Sequence, residues 1–101
     1  MEKTSFEDEL RSRDKVFVLF YATWCFFSQD FLPTFKAYAK TNPGECMSVI
    51  VDDHEDLCEK YGIETYPAVL LFEKGKVTKR LDSAHGVGLS KKQLEEFTKE
   101  T

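Results

Sequence analysis

Residues 16–28 have the sequence VFVLFYATWCFFS, and this stretch decides the fold. Its first seven residues form an unbroken apolar run, rich in β-branched and aromatic side chains, which is typical of a β-strand buried on both faces. Trp24 and Cys25 follow directly, and from Phe31 onwards apolar residues recur with helical spacing. The stretch therefore predicts a buried strand that leads through a short turn into a helix, with a cysteine at the first turn of that helix.

The remainder of the chain predicts further helices and strands on both sides of this segment. Helices are expected over about 5–13, from Cys25 to Asn42, and from Asp53 as N-cap to Tyr61. A fourth helix is expected after a capping box formed by Ser90 and Gln93. Strands are expected over 16–22, 46–51, 67–72 and 77–81. Gly62 is expected to end the third helix, and residues 73–76 to form a hairpin turn. The order α-β-α-β-α-β-β-α indicates a single α/β domain over residues 1–101.

The composition is that of a small globular domain. The chain has 101 residues, 42% of them hydrophobic, and a formal net charge of −4, which gives no electrostatic reason to approach DNA, RNA or anionic lipid. No apolar run reaches the roughly 18 residues needed to span a bilayer, and the acidic, polar start of the sequence does not resemble a signal peptide. We therefore expect a cytoplasmic monomer that binds neither nucleic acid nor membrane.

The three cysteines, Cys25, Cys46 and Cys58, do not form the pattern of a disulfide-stapled domain. Their spacings, together with only two histidines, do not match those of zinc ligands, so neither a metal site nor a cofactor is expected. Cys46 opens a predicted buried strand and Cys58 lies beside Leu57 in a short amphipathic helix, and both are interpreted as small buried apolar residues. Cys25 differs because strand, tryptophan, cysteine and helix start coincide there.

Cys25 is the candidate nucleophile. The unpaired N–H groups at a helix N-terminus and the helix dipole favour the thiolate form of a cysteine placed there. Residues three apart on a helix share a face, so Ser28 is expected beside Cys25, with its hydroxyl donating a hydrogen bond to the thiolate. Trp24 is expected to shield one side, and Phe26 and Phe27 to present an apolar rim. The alternative is that one of the two phenyl rings packs inward.

At these residues the chain resembles the thioredoxin superfamily. Five segments carry the resemblance in one register from about residue 5 to 100: the strand-to-nucleophile segment 20–25, the helix-kinking proline at Pro33, residues 61–67 leading to the family's cis-proline, the closing hairpin 71–77 and the terminal helix 89–97. The resemblance implies the α/β thioredoxin fold, with a central four-stranded mixed sheet flanked by helices and with the family's first strand shortened or missing.

The resemblance also assigns roles to single residues. Cys25 matches the family's nucleophile, and Pro67 matches the cis-proline that the family packs against that cysteine. The backbone of Tyr66 would pair with an extended substrate in the manner of a short added β-strand. Gly86 is assigned to the same groove, in a loop over residues 83–87 that is longer than the family's. The expected substrate-binding surface thus consists of Trp24, Phe26, Phe27, Tyr66, Pro67 and Gly86.

Three positions depart from the dithiol enzymes of the superfamily. Ser28 stands where they carry their second cysteine, Leu19 stands where thioredoxins carry a buried acid, and Ser48 lies near the position of the lysine that pairs with that acid. A serine hydroxyl does not resolve a mixed disulfide, because sulfur–sulfur exchange needs a thiolate. The resolving thiol and its proton relay are therefore both expected to be absent. Whether Ser28 is the natural residue or an engineered replacement of cysteine stays open at this point.

The sequence thus predicts a thiol–disulfide oxidoreductase or isomerase that acts through Cys25 on disulfide- or thiol-containing proteins, with an external thiol as resolver. The alternative is a non-catalytic or covalently trapping peptide-binding module that uses the aromatic surface. A third interpretation rests on the likeness of residues 25–28 to the Cys-Gly-Phe-Ser segment of monothiol glutaredoxins, which bridge an iron–sulfur cluster with glutathione. Against it, the glutathione-binding lysine and the later Gly-Gly-Asp pattern of that family are not evident.

Overall fold

The computed structural model describes residues 10–42, 44–83 and 88–99. Residues 10–12 are helical, and the elements that follow are β1 (Lys15–Tyr21), α1 (Phe26–Thr41), β2 (Cys46–Ile50), a 3-10 helix (Val51–Asp53), α2 (Glu55–Lys60), β3 (Ala68–Glu73), β4 (Lys76–Asp82) and α3 (Lys91–Lys99). The expectation of a shortened first family strand falls on residues 1–9, and the expected groove residue Gly86 falls in 84–87; both lie outside the described residues.

The four strands form one mixed sheet in the order β2-β1-β3-β4. β1 runs parallel to β2, whereas β1 with β3 and β3 with β4 are antiparallel. Within the parallel pair, Leu19 is directly opposite Ser48. The two positions that were expected to lack the acid and its lysine partner are therefore neighbours. This architecture confirms the α/β fold with a four-stranded mixed sheet.

Both faces of the sheet are covered, because successive side chains of a strand point to opposite faces. Val16, Val18 and Phe20 of β1 pack on one face with Leu57 of α2 and with Ile63. On the other face, Phe17 and Leu19 pack with Phe31 and Phe35 of α1 and with Leu94 and Phe97 of α3. The seven-residue apolar run therefore forms the centre of two cores, as a strand buried on both faces requires. No helix of the described residues is long and apolar enough to cross a membrane.

Local signals fix the ends of several elements. At the start of α3, the Gln93 N–H donates to Ser90 Oγ at 3.2 Å and the Ser90 N–H donates to Gln93 Oε1 at 2.9 Å, which is the predicted capping box. The β3–β4 hairpin turns at Lys74 and Gly75, both with positive φ, as a two-residue turn of type I′ requires. Gly62, with φ of 64°, follows the last turn of α2 as predicted.

The predicted N-cap of α2 at Asp53 is wrong. His54 occupies the N-cap position and makes no side-chain capping hydrogen bond, while Asp53 is the last residue of the preceding 3-10 helix. The reason lies in Val51, whose side chain is buried in the core after the end of β2. Val51 is thus buried within the 3-10 turn, and α2 begins after that turn, later than the sequence pattern indicates.

Candidate functional site

Cys25 is the residue that joins the end of β1 to the start of α1. It is the N-cap of α1, with an extended backbone (φ −94°, ψ 124°), and its carbonyl accepts the first helical hydrogen bond from the Gln29 N–H at 3.0 Å. The free N–H groups of the first helical turn therefore lie next to it. The half-buried thiol donates to the backbone carbonyl of Tyr66 at 3.9 Å. The structure thus places the sulfur between a helix N-terminus and the segment before β3.

Ser28 is fully buried, and its Oγ accepts a hydrogen bond of 3.1 Å from the backbone N–H of Ala22. Among the contacts of the described residues, none joins the Ser28 hydroxyl to the Cys25 thiol, which differs from the expected hydrogen bond between them. The physical reason is the extended backbone of Cys25: as an N-cap it stands outside the helix, so the rule that residues three apart share a helical face does not apply to this pair.

The Tyr66–Pro67 segment faces the thiol from the other side of the site. The peptide bond between these two residues is cis, Pro67 is buried, and Tyr66 is half-buried. Burial raises the pKa of the Tyr66 hydroxyl, and the thiolate that Cys58 forms at high pH and the carboxylates of Asp52 and Glu55 raise it further. The segment therefore offers the Tyr66 carbonyl to the Cys25 thiol and projects the phenol away into acidic surroundings.

Trp24 is held by a residue that the sequence reasoning missed. Its indole N–H donates to Asp52 Oδ1 at 2.7 Å, and the Thr23 hydroxyl donates to Asp52 Oδ2 at 3.5 Å. The indole also meets the Tyr66 ring edge-on, with 5.9 Å between centroids. Although 64% of its surface is exposed, the ring is thus fixed on two sides. Acidic residues recur at helical spacing at positions 52, 55, 56 and 59. This spacing is the signal in the sequence that identifies Asp52 and its acidic neighbours.

The two phenylalanines after Cys25 differ in their surroundings. Phe26 is 73% exposed, whereas Phe27 is half-buried and lies against Gly88. A Cβ atom at Gly88 would come within 2.8 Å of the Phe27 ring, so only glycine fits beneath this ring. The alternative in which one phenyl ring packs inward is therefore the one that the structure supports. Among the described residues, Gly88 is a glycine that lies next to the site.

A groove with a volume of about 710 Å³ begins at Trp24 and Tyr66 and runs along α2. Its other lining residues are Val51, Asp52, Glu55, Asp56, Cys58, Glu59, Gly62, Ile63 and Glu64. Within the described ranges, no three His, Cys, Asp or Glu residues are arranged to hold a metal ion. The groove is therefore an open acidic channel that reaches the site at Trp24 and Tyr66.

All three cysteines are free thiols, and the two others differ from Cys25 in their setting. Burial raises the pKa of the Cys46 thiol to about 11, with a further contribution from the charge of Glu45. Burial, followed by the charges of Asp56 and Glu55, raises the pKa of the Cys58 thiol. Both thiols are therefore held in the protonated form at neutral pH. Their side chains pack against the two cores but are only partly buried, which differs from the expected full burial.

A central strand that ends in a cysteine at a helix N-terminus, opposite a cis-proline, defines the thioredoxin class of proteins. The family model described as Thioredoxin matches residues 1–100, and the chain belongs to this family of thiol–disulfide oxidoreductases. It is similar to Thioredoxin-1 of Caenorhabditis elegans, with 33% identity over 96 residues that cover 92% of this chain and 84% of the relative.

Two further similarities bear on the length and the fold. The chain is 33% identical over 88 residues to Endoplasmic reticulum resident protein 44 of Bos taurus, a match that covers 79% of this chain but only 22% of that protein. The crystal structure of Fasciola hepatica thioredoxin superposes with a TM-score of 0.80 at 26% identity, covering 98% of this chain and 90% of the other. The chain thus matches relatives of very different length.

Proposed function

We propose that the chain is a thiol–disulfide oxidoreductase that works through the single thiol of Cys25. The observation that carries this proposal is the contrast between the two ends of the Cys-x-x-Ser segment. Cys25 is partly exposed at the helix N-terminus and faces the Tyr66 carbonyl, whereas Ser28 is buried and its hydroxyl is bound to Ala22. Ser28 therefore stabilises the backbone of the site, and disulfide exchange depends on the single sulfur of Cys25.

The reaction begins when the Cys25 thiolate attacks one sulfur of a substrate disulfide. A Cys25–substrate disulfide forms, and the second substrate sulfur leaves as a thiolate that takes a proton from water. An external thiolate then attacks the Cys25 sulfur and releases the first substrate sulfur. A second external thiolate frees Cys25 and forms the external disulfide. In the net reaction, two external thiols reduce one substrate disulfide.

The backbone beside the thiol supplies the orientation that this exchange needs. An extended substrate that lies along the Tyr66 segment adds a short strand whose N–H groups donate to main-chain carbonyls there. Trp24, held by Asp52 and by the edge of Tyr66, forms a rigid apolar wall on one side of the sulfur. We expect these contacts to bring the substrate sulfur into line with Cys25, which raises the exchange rate by proximity.

The test compares this chain with its Cys25→Ser, Ser28→Ala and Ser28→Cys variants. Each is mixed with a disulfide-containing peptide, and the adduct at Cys25 is followed by mass spectrometry before and after addition of 2-mercaptoethanol. We expect a persistent adduct with this chain and with Ser28→Ala, none at position 25 with Cys25→Ser, and rapid loss of the adduct without added thiol with Ser28→Cys. A chain that forms no adduct at Cys25 contradicts the proposal.

A second candidate function is a peptide-binding module that needs no chemistry at the thiol. The observation in its favour is the exposure of Trp24 and Phe26, two large apolar side chains that flank Cys25 on the surface. Binding of a reduced partner peptide to Cys25→Ala, measured by calorimetry, separates the two functions. Undiminished affinity together with absent disulfide exchange in the unsubstituted chain favours the binding module.

The cytoplasmic location and the monomeric state stay predictions. We propose both, with cysteine-containing proteins as substrates and a small external thiol as reductant. Light scattering on the purified chain across a range of concentrations tests the monomer, and a mass that rises with concentration contradicts it. Fractionation of cells that express the chain in its natural context tests the location.

A further inference from the structure

The groove beside Cys25 carries a charge pattern that thiol exchange as such does not require. Five carboxylates line it, namely Asp52, Glu55, Asp56, Glu59 and Glu64, and its described lining contains neither lysine nor arginine. A neighbouring cation, Arg80, donates to the Gly62 carbonyl at 3.2 Å and interacts with Glu64, which leaves the other four carboxylates as the main negative charges. We infer that this groove makes the reaction selective for partners whose cysteine or disulfide is flanked by positive charge, and that it disfavours anionic thiols and disulfides. The inference deepens the proposed function and rests on it.

The acidic lining follows from how α2 packs. Leu57 is the residue of α2 that is buried in the core, so the helix turns its opposite side towards the groove. Glu55 and Glu59 are four residues apart and share a helical face. Asp52 lies across from them beside Trp24, and Glu64 lies on the segment that leads to Tyr66. The charges therefore lie along the groove that begins at Trp24 and Tyr66, the two neighbours of the Cys25 thiol.

The negative field extends from the groove to the reactive end of the site. The phenol of Tyr66 and the thiol of Cys58 both titrate at raised pKa, first because of burial and then because of neighbouring negative charges that include Glu55 in both cases. Tyr66 is the same residue whose carbonyl accepts from the Cys25 thiol at 3.9 Å. A charged group on a partner that reaches Tyr66 therefore lies within the influence of these carboxylates.

The shape of the site independently favours a cationic segment in the groove. The aromatic walls at its mouth are Trp24 and Tyr66, in edge-to-face contact, with much of the indole exposed. A lysine or arginine side chain lying on an exposed indole face gains a cation–π contact in addition to its attraction to carboxylates. Away from the groove, Phe27 covers Gly88 and fills the space beside that backbone.

Three small disulfides that differ mainly in charge test this inference: cystamine with two ammonium groups, bis(2-hydroxyethyl) disulfide with none, and 3,3′-dithiodipropionate with two carboxylates. The rate of adduct formation at Cys25 is measured by mass spectrometry of the tryptic peptide that carries it. Each rate is divided by the rate of the same disulfide with 2-mercaptoethanol, which removes the intrinsic reactivity of the reagent. We expect the normalised rate to favour cystamine over dithiodipropionate by about tenfold at low ionic strength.

Salt and charge variants locate the source of the preference. We expect the ratio of the normalised cystamine rate to the normalised dithiodipropionate rate to fall several-fold in about 0.5 M NaCl. At this salt concentration, exposed charges are screened over a few ångströms. The triple variant Glu55→Gln/Glu59→Gln/Glu64→Gln is expected to bring the ratio close to one. The control Glu73→Gln/Glu95→Gln/Glu96→Gln changes the net charge equally at exposed positions outside the groove lining, and it is expected to keep the ratio.

Each outcome decides between the inference and its alternatives. A normalised ratio at or below one in the unsubstituted chain overturns the inference, and this measurement does not depend on the folding of any variant. An equal loss of preference in the two triple variants also overturns it, because the cause is then net charge and not the groove. Failure of the neutral disulfide to form any adduct contradicts the proposed function itself.

Discussion

The Oγ atom of Ser28 lies 3.1 Å from the backbone nitrogen of Ala22, and both residues are fully buried. This hydrogen bond ties the first turn of α1 to the end of β1. Cys25 sits between the two tied points, at the corner where the strand becomes the helix. Ser28 therefore positions the reactive residue through the backbone, whether or not its hydroxyl takes part in chemistry.

Substitution of Ser28 by alanine is expected to destabilise the chain. The change leaves the buried Ala22 N–H without its acceptor, which costs about 1–3 kcal/mol of unfolding free energy. Urea denaturation followed by circular dichroism measures this loss. Ser48→Ala, at an exposed serine of β2, is the control and is expected to change the unfolding free energy by about 0.5 kcal/mol or less. Equal effects of the two substitutions would show that the Ser28 hydrogen bond contributes nothing.

Removal of the Asp52 carboxylate is expected to free the indole of Trp24. The chain has one tryptophan, so its fluorescence reports on this side chain alone. In Asp52→Ala the indole N–H loses its 2.7 Å partner, and we expect lower steady-state anisotropy and slower exchange at Cys25. Asp53→Ala, at the exposed neighbouring residue, is the matched control. Anisotropy that is the same in both variants refutes the role assigned to Asp52.

Gly88→Ala is expected to destabilise the chain for two separable reasons. The backbone of Gly88 has φ of 80°, and a left-handed conformation costs a non-glycine residue about 1–2 kcal/mol. In addition, the new Cβ meets the Phe27 ring at 2.8 Å. The double variant Phe27→Ala/Gly88→Ala removes the ring but keeps the Cβ of residue 27, 3.0 Å away, and the backbone cost. A double-mutant cycle should therefore show a coupling of about 0.5–3 kcal/mol that comes from the ring. Strictly additive free energies would disprove the close approach.

The thiol of Cys46 is expected to make stability depend on pH in the alkaline range. Its pKa rises from an ordinary 9.0 to about 11 in the folded chain, so the folded state holds this proton more tightly than the unfolded state does. The stabilisation is present below about pH 9 and is lost as the pH rises towards about 11. Denaturation of the unsubstituted chain and of Cys46→Ala measures this, and their difference in unfolding free energy should change across that window. Parallel pH profiles contradict the assignment.

Features that depend on a few adjacent residues were predictable from the sequence. The apolar run gave a strand that starts one residue earlier and ends one residue earlier than expected, at Lys15 and Tyr21. The capping box at Ser90 formed as written in the sequence, because its two hydrogen bonds need only the local backbone. The Cys25–cis-proline arrangement came from family resemblance, since the residues involved are far apart in the chain.

Features that depend on where one segment stops and the next begins were not predictable. The helical spacing of Cys25 and Ser28 suggested a direct hydrogen bond, but the extended N-cap backbone turns the serine towards Ala22 instead. The cap of α2 moved from Asp53 to His54 because Val51 had to be buried. In the sequence, the acidic groove is visible only as carboxylates at helical spacing. The groove itself forms because α2 lies beside Trp24 in the folded chain.

β1 and β3 are neighbours in the interior of the described sheet, with a strand on each side of the pair. Cys25 follows the end of β1, and Tyr66 and Pro67 immediately precede β3. Amide groups of such strands exchange with solvent only in rare, large opening events. Both halves of the site are thus fixed to the part of the molecule that opens least often. A partner meets a surface that is already in place, so the loss of conformational entropy on association falls on the partner.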